Sequence, residues 1–510
     1  MSASGAEPAS RPVPRRAATQ VPRPGHNPLL YQVNTRTWLN ELSRDLGRPA
    51  TLDDVPDSDL DGWVAAGVNL VYFLGVWQTG AAGRTVSRGN PAWREEFARV
   101  LPDLSEDDIC GSCFAITGYS VSAALGGDEA LKRLRARLHE RGLWLILDFV
   151  PNHTAPDHPW ATQHPDHYVR GSEEDIAREP QNFCRVGDAV LAYGRDPYFD
   201  GWPDTLQLDY GNPALREAML AELGGVAERC DGVRCDMAML ILPEVFERTW
   251  GIPTEPFWPD AIAKIKADHR GFLFMAEVYW DLEWELQRQG FDFTYDKRLY
   301  DRLVEGDIPK LRDHLHAHMD FQEHSARFLE NHDEPRAAAT FSLEKHKAAA
   351  VITFLCPGLR FLHQGQLEGA KIRLPVHLCR RPLEPLDEEL RAFYRSLLAC
   401  LRNPGLREGM WTLLDCRPAW DGNWTHESFV AQGWRGDLGD RFVIVVNFSD
   451  HQSQCYVSPP FSDLVGERWT LRDLLSDITY KREGGGLVEP GLYLDLPAWG
   501  YHVFEVLPCG

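Results

Sequence analysis

The sequence predicts an α/β protein: a (β/α)8 TIM barrel with a subdomain inserted after its third strand and an antiparallel β-domain at the C-terminus. Three observations predict it. Four short apolar runs finish in charged or polar residues: Trp144–Val150, which holds Asp148 and leads into Pro151-Asn152-His153; Gly232-Val233-Arg234-Cys235-Asp236; Phe272–Ala276, which leads into Glu277; and Arg327–Glu330, which leads into Asn331-His332-Asp333. An unpaired buried carboxylate costs several kcal/mol. Charge at the end of a buried strand therefore needs a role, and the C-terminal strand ends are where a parallel barrel carries its site. Second, strand and helix signals alternate along most of the chain, the pattern of a parallel α/β sheet. Third, the texture changes after Pro404 to short alternating runs such as Arg441–Phe448, as expected of antiparallel strands.

Taken in order, Leu29–Asn34 reads as the first strand, Leu60–Ala66 as a helix and Val68–Leu74 as the second strand. Trp77–Thr117 reads as a long insertion with charged and glycine-rich pieces. Ala130, Leu131, Leu134 and Leu138 recur at helical spacing over Asp128–Gly142, with Gly142 as the stop. The Asp148 strand follows. Thr154–Trp202 breaks the rhythm with Pro, His, Asp and Gly, and a loop of that length in a barrel is functional or forms a subdomain. Leu215–Glu228, Ala261–Asp268, Ile308–His318 and Lys345–Phe354 read as helices between the remaining strands, which include Phe291–Tyr295 and Leu359–His363. Leu390–Leu401 closes the barrel. The expected organisation is a flexible tail over 1–27, a barrel over 28–153 and 203–404, the inserted subdomain over 154–202, and the β-domain over 405–510.

With 510 residues the chain is too long for one core, and 44% hydrophobic residues suit a packed globular protein. The net charge of −22 argues against binding nucleic acid by phosphate neutralisation. Seventeen Trp offer flat faces that suit sugars, although core packing accounts for most of them. Eleven Cys without framework spacing, several in apolar runs, fit free thiols in a reducing compartment, so a cytoplasmic location is expected. Cys110-Gly111-Ser112-Cys113 has CxxC spacing, but no second pair or His pair accompanies it, which argues against zinc or redox work. The first 27 residues lack an apolar core for a signal peptide, nothing apolar follows Arg15-Arg16, and no run reaches membrane-spanning length.

The strand ends offer three carboxylates: Asp236, Glu277 and Asp333. Retaining glycoside hydrolysis requires two carboxyl groups about 5 Å apart, one nucleophile and one acid/base. Arg234, two positions before Asp236, points to the same face of its strand. An adjacent cation favours an ionised Asp236, as a nucleophile needs. The apolar run before Glu277 raises its pKa, as a proton donor needs. His153 and His332 are candidate donors to sugar hydroxyls. Any one of these residues is ordinarily structural, a cap, an ion-pair partner or a satisfied histidine; four such ends together are not.

Asp148–His153, Gly232–Asp236, Ala276-Glu277-Val278 and Asn331-His332-Asp333 resemble the four ordered motifs of the α-amylase family of glycoside hydrolases. Gly118-Tyr119, Leu208–Pro213 and Gly358–Gly365 resemble further family segments, and the likeness covers roughly Tyr31 to Gly369. The resemblance implies Asp236 as nucleophile, Glu277 as acid/base and Asp333 as holder of sugar hydroxyls. It further implies Arg234, His153, His332 and Arg336 in the glycone subsite and Tyr119 as a stacking platform. Asn152 matches a residue that binds calcium in many members, so no cofactor is required but a structural calcium is allowed. The sequence also departs from the family. Met237-Ala238-Met239-Leu240 stands where starch-cleaving members carry Lys-His. Gly358-Leu359-Arg360 replaces Gly-x-Pro, and His363 replaces a Tyr. Gln207 replaces the Asp of the inserted-domain motif. The first two weigh against internal starch cleavage and the last against bound calcium.

The expected activity is a retaining α-glycoside hydrolase on α-glucosides or short α-glucans, with a glucosyl transferase or isomerase using the same intermediate as the alternative. A non-catalytic barrel of the transporter-associated kind is disfavoured, because all three carboxylates are present and no anchor is. Trp411, Trp420, Trp424 and Trp434 raise a binding role for the β-domain, against which core packing is the simpler account. The two long insertions are expected to narrow the barrel mouth, with Arg360 and His363 adding polar groups if they point inward.

Overall fold

A computed structural model describes residues 23–509. Eight parallel strands close a barrel in sequence order: β1 Leu29–Asn34, β2 Leu70–Leu74, β3 Trp144–Phe149, β4 Gly232–Cys235, β5 Leu273–Ala276, β6 Phe293–Tyr295, β7 Ser325–Arg327 and β8 Leu359–His363, with β8 pairing back onto β1. Barrel strands are covered on both faces, so they read as continuous apolar runs; all five residues of β2, Leu70-Val71-Tyr72-Phe73-Leu74, are buried. Helices fill the crossovers. Gly127–His139 buries the expected Ala130, Leu131, Leu134 and Leu138, and Gly142, at φ 75°, turns the chain into β3. Gly358, at φ 94°, opens β8 where a Cβ would lie 2.3 Å from the Ser325 carbonyl, so only glycine fits.

Of the expected tail, residues 1–22 lie outside the described residues. Asn27 is buried at the barrel floor, where its side chain accepts from Gly358 N at 2.6 Å and donates to Arg407 O at 2.6 Å. The Trp77–Thr117 insertion holds two helices, Ala81–Gly89 and Pro91–Val100, the second capped by Asn90. After β3 the chain forms short helices and a hairpin of Phe183–Val186 with Ala189–Ala192. His153–Thr154 pairs with Leu206–Gln207 and ties the base of this insertion together.

Beyond the closing helix Glu388–Leu401, a six-stranded antiparallel sheet packs with a three-stranded one around Phe429, Val443, Val445, Leu471 and Phe504. Trp411 and Trp434 are buried, and the Trp434 indole donates to Leu355 O at 2.8 Å, joining this domain to the barrel. Trp420 and Trp424 are 56% and 71% exposed. No helix among the described residues is long and apolar enough to cross a membrane.

Candidate active site

Asp236 and Glu277 stand one residue past the ends of the adjacent strands β4 and β5, so the hydrogen-bonded register sets them side by side at the barrel mouth. Arg234 of β4 is fully buried beneath them. Its Nη1 donates to Asp236 Oδ1 at 2.6 Å, its Nη2 lies 2.7 Å from Glu277 Oε2, and Asp148 Oδ1 is 3.6 Å from Nη1. One guanidinium therefore balances three buried carboxyl groups, as the planar fork of arginine permits. Asp148 is fixed in turn by the Tyr72 hydroxyl and by Gly75 N at 3.1 Å.

Glu277 also accepts from Met237 N at 2.7 Å and from the Tyr279 hydroxyl at 2.9 Å. Met237, directly after Asp236, sits at φ 43°, a left-handed conformation that costs a non-glycine residue energy and clusters at functional sites. That turn is what aims its N–H at Glu277. Burial pushes the Glu277 pKa up to about 7, with Asp236 and Asp333 adding to the rise and Arg234 opposing it. The expected proton-donor environment is present. Asp236 is also raised, because burial outweighs the pull of Arg234; the expectation that the adjacent cation sets its pKa captures only the smaller effect.

Asp333 lies six residues beyond β7, and its side chain is 43% exposed at the cavity. Its partial burial is outweighed by His332, whose Nε2 is 3.0 Å from Asp333 Oδ2, and its pKa is held down to about 2. Gln32 Nε2 sits 2.9 Å from His332 Nδ1; an amide nitrogen can only donate, so the imidazole proton stays on Nε2, facing Asp333. His332 Nε2 and Arg234 Nη2 are both buried against carboxylates, Asp333 and Glu277, so each donor is committed to a neighbouring charge.

The three carboxylates share a cavity of about 280 Å³ with Phe114, His153, Trp202, Asp204, Tyr279, Trp93 and His377. His153 is where the sequence places it; burial lowers its pKa to about 4, so it is neutral, and it packs edge-on against Trp202 at 5.4 Å. Four expected residues are elsewhere. Tyr119 lies below the cavity: its hydroxyl donates to Val150 O and accepts from Val150 N, and its ring stacks on Phe149. The apolar platform is Phe114, whose ring centroid is 5.1 Å from Arg234 Cζ and 5.4 Å from the His332 ring. Arg336 pairs with Glu330 at 2.7 Å and donates to Gln364 O, so it braces the β7–β8 loops rather than facing Asp236. Arg360 points to the barrel floor, donating to Asn27 O and Leu406 O, and His363 lines a separate cleft between β1 and β8. Neither adds to this cavity.

Asp204 and His377 carry no signal legible along the chain. Asp204 is buried with Oδ2 lacking a hydrogen-bond partner, 3.6 Å from His377 Nε2. His377 packs tilted against the Trp93 ring, with centroids 4.5 Å apart. Trp93 and Trp202 come from the two long insertions, so both insertions do reach the rim.

A calcium ion does not fit at Asn152. The Gln207 amide nitrogen donates to Asn152 Oδ1 at 2.9 Å, Asn152 O at 3.1 Å and Leu208 O at 3.2 Å, taking up the oxygens that a cation needs. Among the described residues no three His, Cys, Asp or Glu side chains gather into a metal site. Dialysis against chelator is expected to leave initial rates and Tm unchanged, whereas Gln207→Glu places a carboxylate among those oxygens and is expected to lower Tm until calcium is added. A chelator-sensitive wild-type rate restored by calcium alone would overturn this.

The Glu277 environment also fixes a pH dependence. A general acid of pKa about 7 is expected to hold kcat/KM up to neutrality and lose it tenfold per pH unit above. Glu277→Gln, assayed on a donor with an activated leaving group, is expected to lack that alkaline limb. The check is the pH profile of both proteins, and a wild-type profile flat to pH 9 rules out Glu277 as the acid.

A family model described as the α-amylase catalytic domain matches residues 114–373. Alpha-amylase MalA of Haloarcula japonica is 27% identical over 312 residues, 58% of this chain and 42% of that protein. An α-1,4-glucan:maltose-1-phosphate maltosyltransferase of Bifidobacterium animalis subsp. lactis is 27% identical over 235 residues, 44% of this chain and 26% of that protein. The chain thus spans less than half the length of either relative. A maltogenic α-amylase of Thermotoga neapolitana shares the fold, with a TM-score of 0.68 at 20% identity, covering 95% of this chain and 99% of that one.

Proposed function

This chain belongs to the α-amylase family, and from that premise we propose that it is a retaining α-glycoside hydrolase acting on α-glucosides or short α-glucans. The observation that carries the reading is the Arg234 guanidinium in contact with both Asp236 and Glu277, which makes the two carboxyl groups near neighbours, as double displacement requires at about 5 Å. Asp236 attacks the anomeric carbon while Glu277 protonates the leaving oxygen. The covalent β-glycosyl ester is then opened by water from which Glu277 takes a proton. Asp333, facing the same cavity and held by His332 behind it, binds ring hydroxyls; Phe114 supplies an apolar face.

A second reading has a sugar or phosphate acceptor in place of water, making the protein a transferase. The maltosyltransferase relative favours it, and so does Asp204 Oδ2, which faces the cavity with no hydrogen bond, 3.6 Å from His377, and can accept one from an acceptor hydroxyl. Incubation with a panel of α-glucosides, with and without sugar acceptors and inorganic phosphate, followed by product NMR, separates the two. Free sugar released first as the α-anomer supports hydrolysis with retention; β-anomer as first product would sink the double displacement.

The cavity is small, about 280 Å³, and Trp93 and Trp202 stand among its lining. A short oligosaccharide is therefore expected to have a much higher kcat/KM than soluble starch. Viscosity of starch falling before small sugars appear would rule out a closed pocket. Eleven unpaired thiols support a cytoplasmic assignment as part of the same reading.

A further inference from the structure

The CxxC spacing of Cys110 and Cys113 draws attention to the wrong pair. Cys113 is buried beside Gly75, where burial pushes its thiol up to about 12. Cys110 instead meets Cys379, 269 residues later, which comes from the strap that follows β8. The two segments form an antiparallel bridge at Ile109 and Leu378, with Cys110 N donating to His377 O at 2.9 Å and Cys379 N donating to Asp108 O at 3.0 Å. In this bridge the side chains at 110 and 379 fall on one face. Arg380 clamps the join through Asp108 at 2.6 Å and Asp103 at 3.0 Å. Gly111, at φ 85°, lies against the Arg84 backbone, where a Cβ would be 3.0 Å from Arg84 N, so the Cys110 turn is fixed from its other side. Both thiols are partly accessible.

We propose that Cys110 and Cys379 form a reversible disulfide, made by two-electron oxidants of the peroxide or small-disulfide class, which ties the β2–β3 insertion to the strap carrying His377. With peroxide, the Cys110 thiolate attacks one oxygen and hydroxide leaves, giving a sulfenic acid. The Cys379 sulfur then attacks the Cys110 sulfur, and the sulfenic oxygen departs with a proton as water. The sum is two thiols and one peroxide to one disulfide and two waters. The environment favours Cys110 as the attacking sulfur. Cys110 Sγ lies 3.3 Å from His377 O and Cys379 Sγ 3.3 Å from Asp107 O, and with Cys379, Arg36 and His377 beside it the Cys110 pKa falls to about 6. Burial and the proximity of Cys110 raise Cys379, with Asp108 adding to the rise and Arg36 opposing it. Arg36 is anchored on Val376 O and also faces Cys113. This site is independent of which sugar the cavity takes.

The test treats the full chain with hydrogen peroxide or glutathione disulfide, blocks free thiols, digests without reduction and maps cross-links by mass spectrometry. The expected product links Cys110 to Cys379, is reversed by dithiothreitol, and forms equally in Cys113→Ser. In Cys379→Ser the Cys110 sulfur is expected to end as a sulfinic acid or a glutathione adduct. Iodoacetamide labelling of Cys110 in the reduced protein is expected to reach half its maximal rate near pH 6, and at higher pH in Cys379→Ala, where the neighbouring thiol is lost. A Cys110–Cys113 link, loss of the cross-link in Cys113→Ser, or Cys110 still a free thiol after the equally accessible Cys509 has reacted would each overturn the proposal.

Discussion

Asp236→Asn is expected to lower kcat by at least about 10⁴-fold while leaving Tm within a few degrees of wild type. Loss of an activated nucleophile has cost up to about 10⁶ in kcat in another hydrolase, and general acid help alone supplies about 10² to 10⁴. Asparagine keeps the shape and can still meet Arg234 through its amide oxygen, so the fold loses little. It cannot form the glycosyl ester. Azide added to Asp236→Gly is expected to restore turnover and to yield the β-glycosyl azide, because the small anion enters from the face that the carboxylate vacates while Glu277 still protonates the leaving group. Circular dichroism guards against misfolding, and product NMR reads the anomer. Near-normal turnover by Asp236→Asn, or an α-azide from Asp236→Gly, would remove Asp236 from the nucleophile's place.

The second large effect is expected from Arg234→Met, which keeps most of the side-chain volume and removes the charge. Arg234 is fully buried and contacts Asp236, Glu277 and Asp148. Removing one partner of a buried ion pair costs about 3 to 5 kcal/mol, because the remaining charge is stranded. Here three carboxyls are stranded, so stability is expected to fall by at least that much, and activity with it. The loss depends on pH with a definite sign. Glu277 already has a folded pKa of about 7, above its ordinary 4.5, and loss of the cation raises it further. A carboxyl whose folded pKa exceeds its unfolded one favours the fold below the unfolded value and loses that contribution as pH rises through the folded one. The Tm deficit of Arg234→Met is therefore expected to widen from pH 5 to pH 8. A deficit that narrows over that range would show that the three carboxyls are not held by Arg234. Arg234→Lys restores charge but not the fork, and is expected to recover stability in part.

Sequence alone determined the barrel, the order of its eight strands and the three carboxylates. These are local signals: an apolar run covered on both faces survives into the fold, and strand register carries Asp236 and Glu277 to the mouth, whereas Asp333 arrives on a loop six residues past β7. Arg234 was legible for the same reason, as alternation puts it on the face of Asp236. The replacement of a carboxylate by Gln207 was legible as a departure, and only the fold shows that its amide nitrogen occupies the place among the Asn152 and Leu208 oxygens.

Tertiary structure decided what depends on residues far apart in the chain. Tyr119 stands in the right segment, yet the turn at its strand puts its hydroxyl on Val150 and gives the cavity Phe114 instead. Arg336 is three residues from Asp333 but finds Glu330, because a buried carboxyl within reach binds a guanidinium more strongly than open space does. Trp93, Trp202, Asp204 and His377 come from loops without periodicity, where no local pattern tells which side chain will face inward. The pairing of Cys110 with Cys379 belongs to the same class: spacing along the chain suggested Cys113, and only the bridge between Ile109 and Leu378 brings the true neighbour alongside.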